Sequence, residues 1–139
     1  SEEWLRAIFD ASRDGILVED DELIIYVNKS YTRLFGYDSP EELIGRHVSA
    51  VISSEDSERM LELGRSRARG ELSASIYEFK GKRKDKTLID VEASVSISNV
   101  AGRKYITTMV RDIAERKSAE KALRQSKELL QGTINALTS

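Results

Sequence analysis

The chain has 139 residues, of which 40% are hydrophobic and 33% are charged, and its formal net charge is -2. A chain of this length can bury a core in a single domain without help from disulfides or metals. The small net charge gives no general attraction to nucleic acid or to anionic membranes. The absence of cysteine excludes disulfides, thiolate metal sites and thiol catalysis.

The sequence carries no sign of membrane insertion, secretion or catalysis. No hydrophobic run approaches the roughly 18 residues that span a bilayer, and no signal peptide precedes the first helix. No combination of nucleophile, general base and oxyanion donors emerges, so this segment is not expected to be an enzyme. We expect a cytoplasmic segment that contacts neither membrane nor nucleic acid. Because residue 1 is serine, we also expect it to belong to a longer protein.

The first part of the chain predicts one helix followed by two strands. The hydrophobic residues between positions 4 and 9 have helical spacing, which predicts an amphipathic helix over residues 2–11. Residues 15–18 and 23–27 predict two short strands, joined by an acidic turn over 20–22.

Short helices follow, each with a recognisable start. Asn28 predicts the N-cap of a helix that ends at Gly36. Ser39-Pro40-Glu41-Glu42 combines a capping serine, proline at the first helical position and glutamate at the third. A second pattern of this kind, starting at Ser53, predicts a helix that runs to about Arg69.

The second half of the chain changes to strand periodicity. Residues 72–80 mix polar and hydrophobic side chains and lead into a basic turn over 80–86. Residues 87–98 alternate cleanly between hydrophobic and polar, which predicts a strand with one buried face. A turn over 99–102 and a further strand over 104–111 complete this half.

The last segment predicts a long helix. Asp112-Ile113-Ala114-Glu115 resembles a capping box with Asp112 as the N-cap, and strong helix formers continue to about Leu137. The whole order of elements favours an α+β fold, in which one antiparallel sheet carries short helices on one face. We predict three parts: an entry helix over 1–14, a core domain over 15–113 and a linker helix over 114–139.

Three segments resemble motifs of the PAS sensor family. They read VNKSYTRLFGY over 27–37, SPEELIGR over 39–46 and VRDIAERK over 110–117, where Ala114 replaces the usual Thr or Ser. The resemblance covers about residues 3–117. It implies a five-stranded antiparallel sheet in the order 2-1-5-4-3, with a small-molecule pocket between the sheet and the helices. It also implies a role in sensing, dimerisation or signal relay.

The resemblance implies pocket residues on the inner side of the fold. The candidates are Tyr31, Phe35, Ile52, Tyr77, Val91, Ala93 and Met109. The same side chains would also serve as a plain hydrophobic core, and some PAS domains hold no ligand. No cofactor or metal is predicted, while an unidentified small-molecule ligand stays open. Without cysteine a covalent flavin adduct is excluded, and the sole histidine, His47, lies away from the position that holds haem in this family. A non-covalent flavin stays open but is not expected.

The joint between sheet and last helix is the predicted relay, through Asp112 and Ile113. The helix that follows has hydrophobic positions at heptad spacing, and these predict parallel pairing with a second copy. They are Leu123, Leu130, Ile134 and Leu137. Glu120 and Lys127 interrupt the hydrophobic stripe, so the pairing should be weak.

The sequence therefore predicts a sensor-relay module of a multidomain signalling protein, such as a sensor histidine kinase or a related regulator. The alternative is a ligand-free PAS module for dimerisation or protein interaction. Expected partners are a second copy and the neighbouring PAS and output domains. Residues 1–14 also match 126–139 without gaps, with identities at Ser1, Glu3, Leu5 and Ala11. This match suggests that 126–139 begin the entry helix of a second PAS domain.

Overall fold

The computed structural model describes residues 2–71 and 75–138. Ser1, residues 72–74 and Ser139 lie outside the described residues. The outermost residues of the predicted entry and linker segments, and the first part of the mixed segment over 72–80, are therefore outside the described part of the chain.

The elements follow the predicted order. The strands are β1 (Gly15–Asp20), β2 (Leu23–Val27), β3 (Ile76–Lys82), β4 (Leu88–Val100) and β5 (Arg103–Asp112). The α-helices are α1 (Glu2–Ala11), α2 (Lys29–Leu34), α3 (Ser57–Ala68) and α4 (Ala114–Thr138). Two short 3-10 helices, Pro40–Glu42 and Val48–Val51, lie between α2 and α3.

All five strands form one antiparallel sheet in the order β2-β1-β5-β4-β3. This is the strand order that the resemblance implied, and the predicted α+β fold class is confirmed. The alternation over 87–98 is also confirmed, since Ile89, Val91, Ala93 and Val95 are buried on the inner face of β4.

Two tight turns connect neighbouring strands. Asp21 and Glu22 join β1 to β2 with φ of 51° and 67°, and Ala101 and Gly102 join β4 to β5 with φ of 52° and 79°. Two successive positive φ values suit the right-handed twist of the strands on either side. The second turn is shorter than the predicted 99–102 because β4 continues to Val100.

Two predicted boundaries are wrong for one reason, which is pairing with β3. The helix expected from Ser53 begins only at Ser57, because the Ser53 amide donates to the oxygen of Lys80 over 2.9 Å. Ser53 instead caps a turn, and its hydroxyl accepts from the Asp56 amide at 3.3 Å. The basic turn expected over 80–86 is also shorter, since Gly81 pairs with Ile89 inside the sheet.

Asn28 is the predicted N-cap of α2, and the prediction is confirmed. Its side-chain oxygen accepts from the Tyr31 amide over 3.0 Å. Gly36, with φ of 76°, ends this stretch of chain as expected. The cap places Tyr31 and Phe35 in the core, where both are at most 2% exposed and their rings stack with centroids 4.5 Å apart.

Candidate functional site

A cavity of about 540 Å³ lies between the inner face of the sheet and α3. Side chains of β1, β3 and β5 form its floor, and residues 60–68 of α3 form its roof. The turns at the tips of the β1–β2 and β4–β5 hairpins surround its mouth. Pockets for small organic ligands fall in this size range, about 300–1,000 Å³.

The wall of the cavity is mostly hydrophobic, and three of the predicted pocket residues belong to it. They are Tyr31 from α2, Ile52 after the second 3-10 helix, and Tyr77 from β3. Contact of these residues with a ligand remains a prediction.

The other four predicted pocket residues lie elsewhere. Phe35, Val91 and Ala93 are fully buried but belong to the hydrophobic core beside the cavity. The prediction for Met109 is wrong. Met109 is 39% exposed, whereas its neighbours Thr108 and Val110 line the cavity from the inner face of β5. Successive side chains of a strand point to opposite faces, which places Met109 on the outer face.

Glu19 contributes a carboxyl group to this largely hydrophobic wall. Its Oε2 atom is buried and has no hydrogen-bond partner among residues 2–71 and 75–138. Burial raises the pKa of Glu19 to about 7, and the nearby charge of Glu22 adds to the increase while Arg67 opposes it. A partly buried carboxyl with a buried, unsatisfied oxygen is costly to the fold and marks a candidate functional group.

Tyr31 and Tyr77 bring two phenol groups to the same wall. The pKa of Tyr31 lies well above its usual value because the side chain is buried and feels the charge of Glu19. Burial also raises the pKa of Tyr77, against the effect of Arg67, whose guanidinium lies 5.8 Å from the Tyr77 ring centroid. Both phenols therefore stay protonated at neutral pH and keep their hydrogen-bond donors.

Charged residues at the mouth are paired across elements. Arg65 of α3 contacts Glu22 of the β1–β2 turn at 3.2 Å, and Arg103 of β5 contacts Asp20 at 2.8 Å. His47 contacts the second oxygen of Glu22 at 3.3 Å. These contacts connect α3 to the tip of the β1–β2 hairpin, and that hairpin to the start of β5, so the mouth is bounded by groups that can separate without breaking the core.

Asn28 links the cavity wall to the N-terminal helix. Its side-chain oxygen accepts from the amides of Tyr31 and Ile16, and its side-chain nitrogen donates to the oxygens of Phe9 and Asp14 at 2.9 and 3.0 Å. Tyr31 lines the cavity, and Phe9 lies in the last turn of α1. One buried side chain therefore connects the ligand side of the fold to the entry helix.

Asp112 and Ile113 form the joint between β5 and α4. The Asp112 carboxylate accepts from the Ala114 amide over 2.8 Å, and the Ile113 amide donates to the oxygen of Asp90 over 3.1 Å. The first helical bond runs from the Lys117 amide to the oxygen of Ile113. Ile113 is therefore the N-cap. Asp112, which was predicted as the N-cap, lies one position before it, because strand pairing of β5 extends through Asp112.

Ion pairs hold the first turn of α4 against the edge of the sheet. Arg116 contacts Glu78 of β3 at 3.1 Å and Glu92 of β4 at 3.2 Å, and Lys117 contacts Glu78 at 2.7 Å. Its hydrogen bond with Lys117 lowers the pKa of Glu78. Strands β3 and β4 thus fix the direction in which α4 leaves the domain.

Beyond this first turn, α4 is exposed along its length. The predicted dimer residues Leu123, Leu130, Ile134 and Leu137 are between 52% and 81% exposed. Their stripe has no covering element among the described residues of this single chain. Pairing through it remains a prediction.

Glu19 and Arg67 are two charged site residues that sequence reasoning missed. Glu19 has the same strand parity as the buried Leu17, and this parity is the signal that could have placed a carboxyl on the inner face. The signal was weak because pairing between β1 and β2 shifts register at Val18 and Glu19. Arg67 lies near the end of α3, a charge-rich helix, and nothing in the sequence of that helix distinguishes it from solvent-exposed arginines.

Within the described ranges, no group of three or more His, Cys, Asp or Glu residues could hold a metal ion. The described helices also include none that is long and apolar enough to cross a bilayer.

The family model for the PAS fold matches residues 3–113. The chain therefore belongs to the PAS family, as its three motifs predicted, and is a PAS sensor domain.

Individual relatives agree with this assignment. The chain is 32% identical over 137 residues to the methyl sulfide methyltransferase-associated sensor of Methanosarcina acetivorans, covering 96% of this chain and 13% of that protein. Among solved structures, it resembles the PAS domain of an HTR-like protein from Haloarcula marismortui, with 27% identity, a TM-score of 0.62 and coverage of 81% and 91% of the two chains. A PAS domain from Colwellia psychrerythraea shares the fold at a TM-score of 0.69 and 24% identity, covering 83% and 99%. The chain thus spans only a small part of its curated relative.

Proposed function

We propose that this domain senses a small molecule and relays its binding to a neighbouring output domain through α4. The observation that carries the proposal is the cavity of about 540 Å³ with the unpaired Oε2 atom of Glu19 in its wall. A polar atom left unsatisfied in the protein alone is a natural contact for a ligand.

Two short paths lead out of the cavity. Thr108 and Val110 line the cavity, and β5 ends at Asp112, immediately before the N-cap of α4. On the other side, Tyr31 connects through Asn28 to the oxygen of Phe9 in α1. A ligand that moves β5 or α2 by a fraction of an ångström would therefore bias both connecting helices. Differential affinity for two arrangements of these helices is all that signalling requires.

The proposed domain boundaries and partners follow from a division of the chain into a sensing core and two connecting helices. Residues 15–113 form the sensing core, with 1–14 and 114–139 as connecting helices, and residues 126–139 begin a second PAS domain. The domain acts as a homodimer in the cytoplasm, has no catalytic activity of its own and serves a sensor histidine kinase or a related regulator. The name of the Methanosarcina acetivorans relative, a sensor, supports a sensory role for the parent protein.

A ligand-free interaction module is the second candidate. The exposed hydrophobic side chains of α1 and α4 favour it, including Trp4 at 63% and Leu130 at 62% exposure. Such surfaces suit pairing with other helices.

Native mass spectrometry and amide NMR on the full chain separate the two candidates. The sensor proposal expects either a small molecule retained through purification or hydrophobic amines or alcohols that shift the amides of Thr108 and Val110. A bare protein mass, together with no amide shift from any compound tested, would favour the ligand-free module instead.

A further inference from the structure

We propose that the cavity takes a small molecule with a hydrophobic body and one hydrogen-bond donor, an amine or a hydroxyl, which contacts the carboxyl group of Glu19. The inference rests on the proposed sensing function and names the class of ligand. It goes beyond the existence of a pocket because it assigns the recognition to one side chain of this chain.

The hydrophobic part of the ligand is set by the walls. Leu17, Val51, Met60 and Phe79 contribute hydrophobic surface on several sides of the cavity. Burial of hydrophobic ligand surface against such walls favours binding. A strongly polar ligand such as a sugar would leave most of its hydroxyl groups without partners here.

The donor is set by Glu19. Its Oε2 atom is an acceptor without a partner among residues 2–71 and 75–138, so a ligand N–H or O–H can satisfy it without displacing an existing bond. Hydrogen bonds to an ionised group are about twice as strong as those between neutral groups. A ligand that offers only acceptors would leave this oxygen unsatisfied.

Anions fit this wall poorly. A ligand carboxylate beside Glu19 would meet the negative charges of Glu19 and Glu22, unless Glu19 takes up a proton. Three arginines that line the cavity are already engaged, Arg65 with Glu22, Arg103 with Asp20 and Arg67 with Tyr77. The balance of charges around Glu19 therefore favours a neutral or cationic donor.

Amines and alcohols differ in how their binding depends on pH. Burial raises the pKa of Glu19 to about 7, so an ammonium ligand gains affinity as the carboxyl loses its proton. The groups that face Glu19 are Glu22 from the β1–β2 turn, Arg67 from α3, Tyr31 from α2 and Tyr77 from β3. An alcohol binds either form of the carboxyl and should show little pH dependence.

The test uses four probes with one shared hydrophobic body: phenylbutylamine, phenylbutanol, its methyl ether and phenylbutyrate. Dissociation constants come from amide NMR titrations of the full chain. The amine and the alcohol should bind about tenfold more tightly than the ether and the carboxylate at about pH 8. Between about pH 6 and about pH 8, affinity for the amine should rise and affinity for the alcohol should stay nearly constant.

Variants of Glu19 test whether its carboxyl group causes the preference among the probes and the pH dependence. Glu19→Gln should remove the pH dependence and the preference for the amine while keeping the alcohol, and Glu19→Leu should make all four probes bind alike. Glu115→Gln, an exposed carboxyl on α4, is the matched control and should leave the ranking unchanged. Loss of the pH dependence in Glu19→Gln would also assign that dependence to Glu19 itself and not to His47, which contacts Glu22 at the mouth.

The outcomes are distinct. Equal binding of all four probes, or tightest binding of the carboxylate, would overturn this inference and leave the sensing function intact. Failure of every probe and every other hydrophobic amine or alcohol to bind, together with a bare protein mass, would overturn the sensing function, and this inference with it. Persistence of the amine preference in a folded Glu19→Gln protein would show that another group recognises the donor.

Discussion

The side-chain nitrogen of Asn28 donates to the main-chain oxygen of Phe9 over 2.9 Å, across 19 positions of sequence. Asn28 is completely buried, and all four of its side-chain bonds go to main-chain groups of α1, the α1–β1 connection, β1 and α2. One amide therefore helps to hold the entry helix in place, and it also caps the helix that carries Tyr31.

Replacement of Asn28 by alanine should lower the free energy of unfolding by about 3 kcal/mol, since it removes an N-cap and leaves buried donors and acceptors unpaired. Urea denaturation measures the change. Asn135→Ala is the control, because Asn135 is exposed on α4 and, among the described residues, its side-chain oxygen accepts only from Gln131. A loss below about 1 kcal/mol for Asn28→Ala would show that this network does not hold the fold together.

Two glycines should respond in opposite ways to alanine. A Cβ at Gly81 would lie 2.8 Å from Cε1 of the buried Phe35, whereas a Cβ at Gly64 in α3 meets nothing within 4 Å. Gly64→Ala should raise stability by up to about 1 kcal/mol through helix propensity, and Gly81→Ala should lower it by about 1–3 kcal/mol through overpacking. Thermal and urea denaturation of the two variants check both signs. Stabilisation by Gly81→Ala would mean that Phe35 can move away from β3 without loss.

Sequence patterns predicted the fold where local chemistry and tertiary structure agree. The Asn28 cap, the proline-led turn at Ser39 and the alternation over 87–98 are examples. They failed where long-range pairing decides the outcome. The backbone at Ser53 bonds to Lys80 and delays α3, and strand pairing through Asp112 moves the N-cap of α4 to Ile113.

The site was harder to predict than the fold. Strand β5 lacks a clean alternation, so nothing in its sequence showed that Thr108, rather than Met109, faces the cavity. Glu19 was missed because the acidic residues that follow it are typical of a turn, and only the pairing of β1 with β2 and β5 shows that the strand continues through it. Such positions need the register of partner strands, which local patterns do not contain.

Glu19 should make the domain less stable as pH rises. Its pKa is raised from 4.5 to about 7 in the folded state, so between these values the folded protein binds more protons than the unfolded chain. Stability due to this group is fully present below about pH 4.5 and is lost as pH rises through about 7. Glu19→Gln should therefore be more stable than the parent at about pH 8, by up to about 3 kcal/mol, with a smaller difference at about pH 5.

The difference in stability between the parent protein and Glu19→Gln reports on Glu19 alone, because the other titrating groups are the same in both proteins. Glu42, for example, has its pKa lowered to about 2 by a hydrogen bond from Lys84, so it acts in a more acidic range and in the opposite direction. Denaturation at a series of pH values gives the difference curve. A difference that does not change with pH would contradict the buried, unpaired carboxyl.

The heptad stripe of α4 predicts the mode of association. Replacement of Leu123 and Leu130 by serine removes hydrophobic side chains that are exposed in the single chain, and should weaken dimerisation by about tenfold or more. Sedimentation across a range of concentrations measures this. Gln125→Ser, on the opposite side of the helix, is the control. An unchanged association constant for the double serine variant would place the dimer contact on α1 or the sheet instead.

The relay itself is tested most directly by the direction of α4 relative to the sheet. The chain has no cysteine, so Ser98→Cys on β4 and Ser126→Cys on α4 give two defined spin-label sites. Dilution with unlabelled protein restricts the measured distances to pairs within one chain. Saturation of the cavity with phenylbutylamine should shift the distance distribution between the labels, and Glu19→Leu, which binds the amine more weakly, should reduce that shift at the same amine concentration. A distribution that stays unchanged while Thr108 and Val110 report full occupancy of the cavity would contradict the relay through α4.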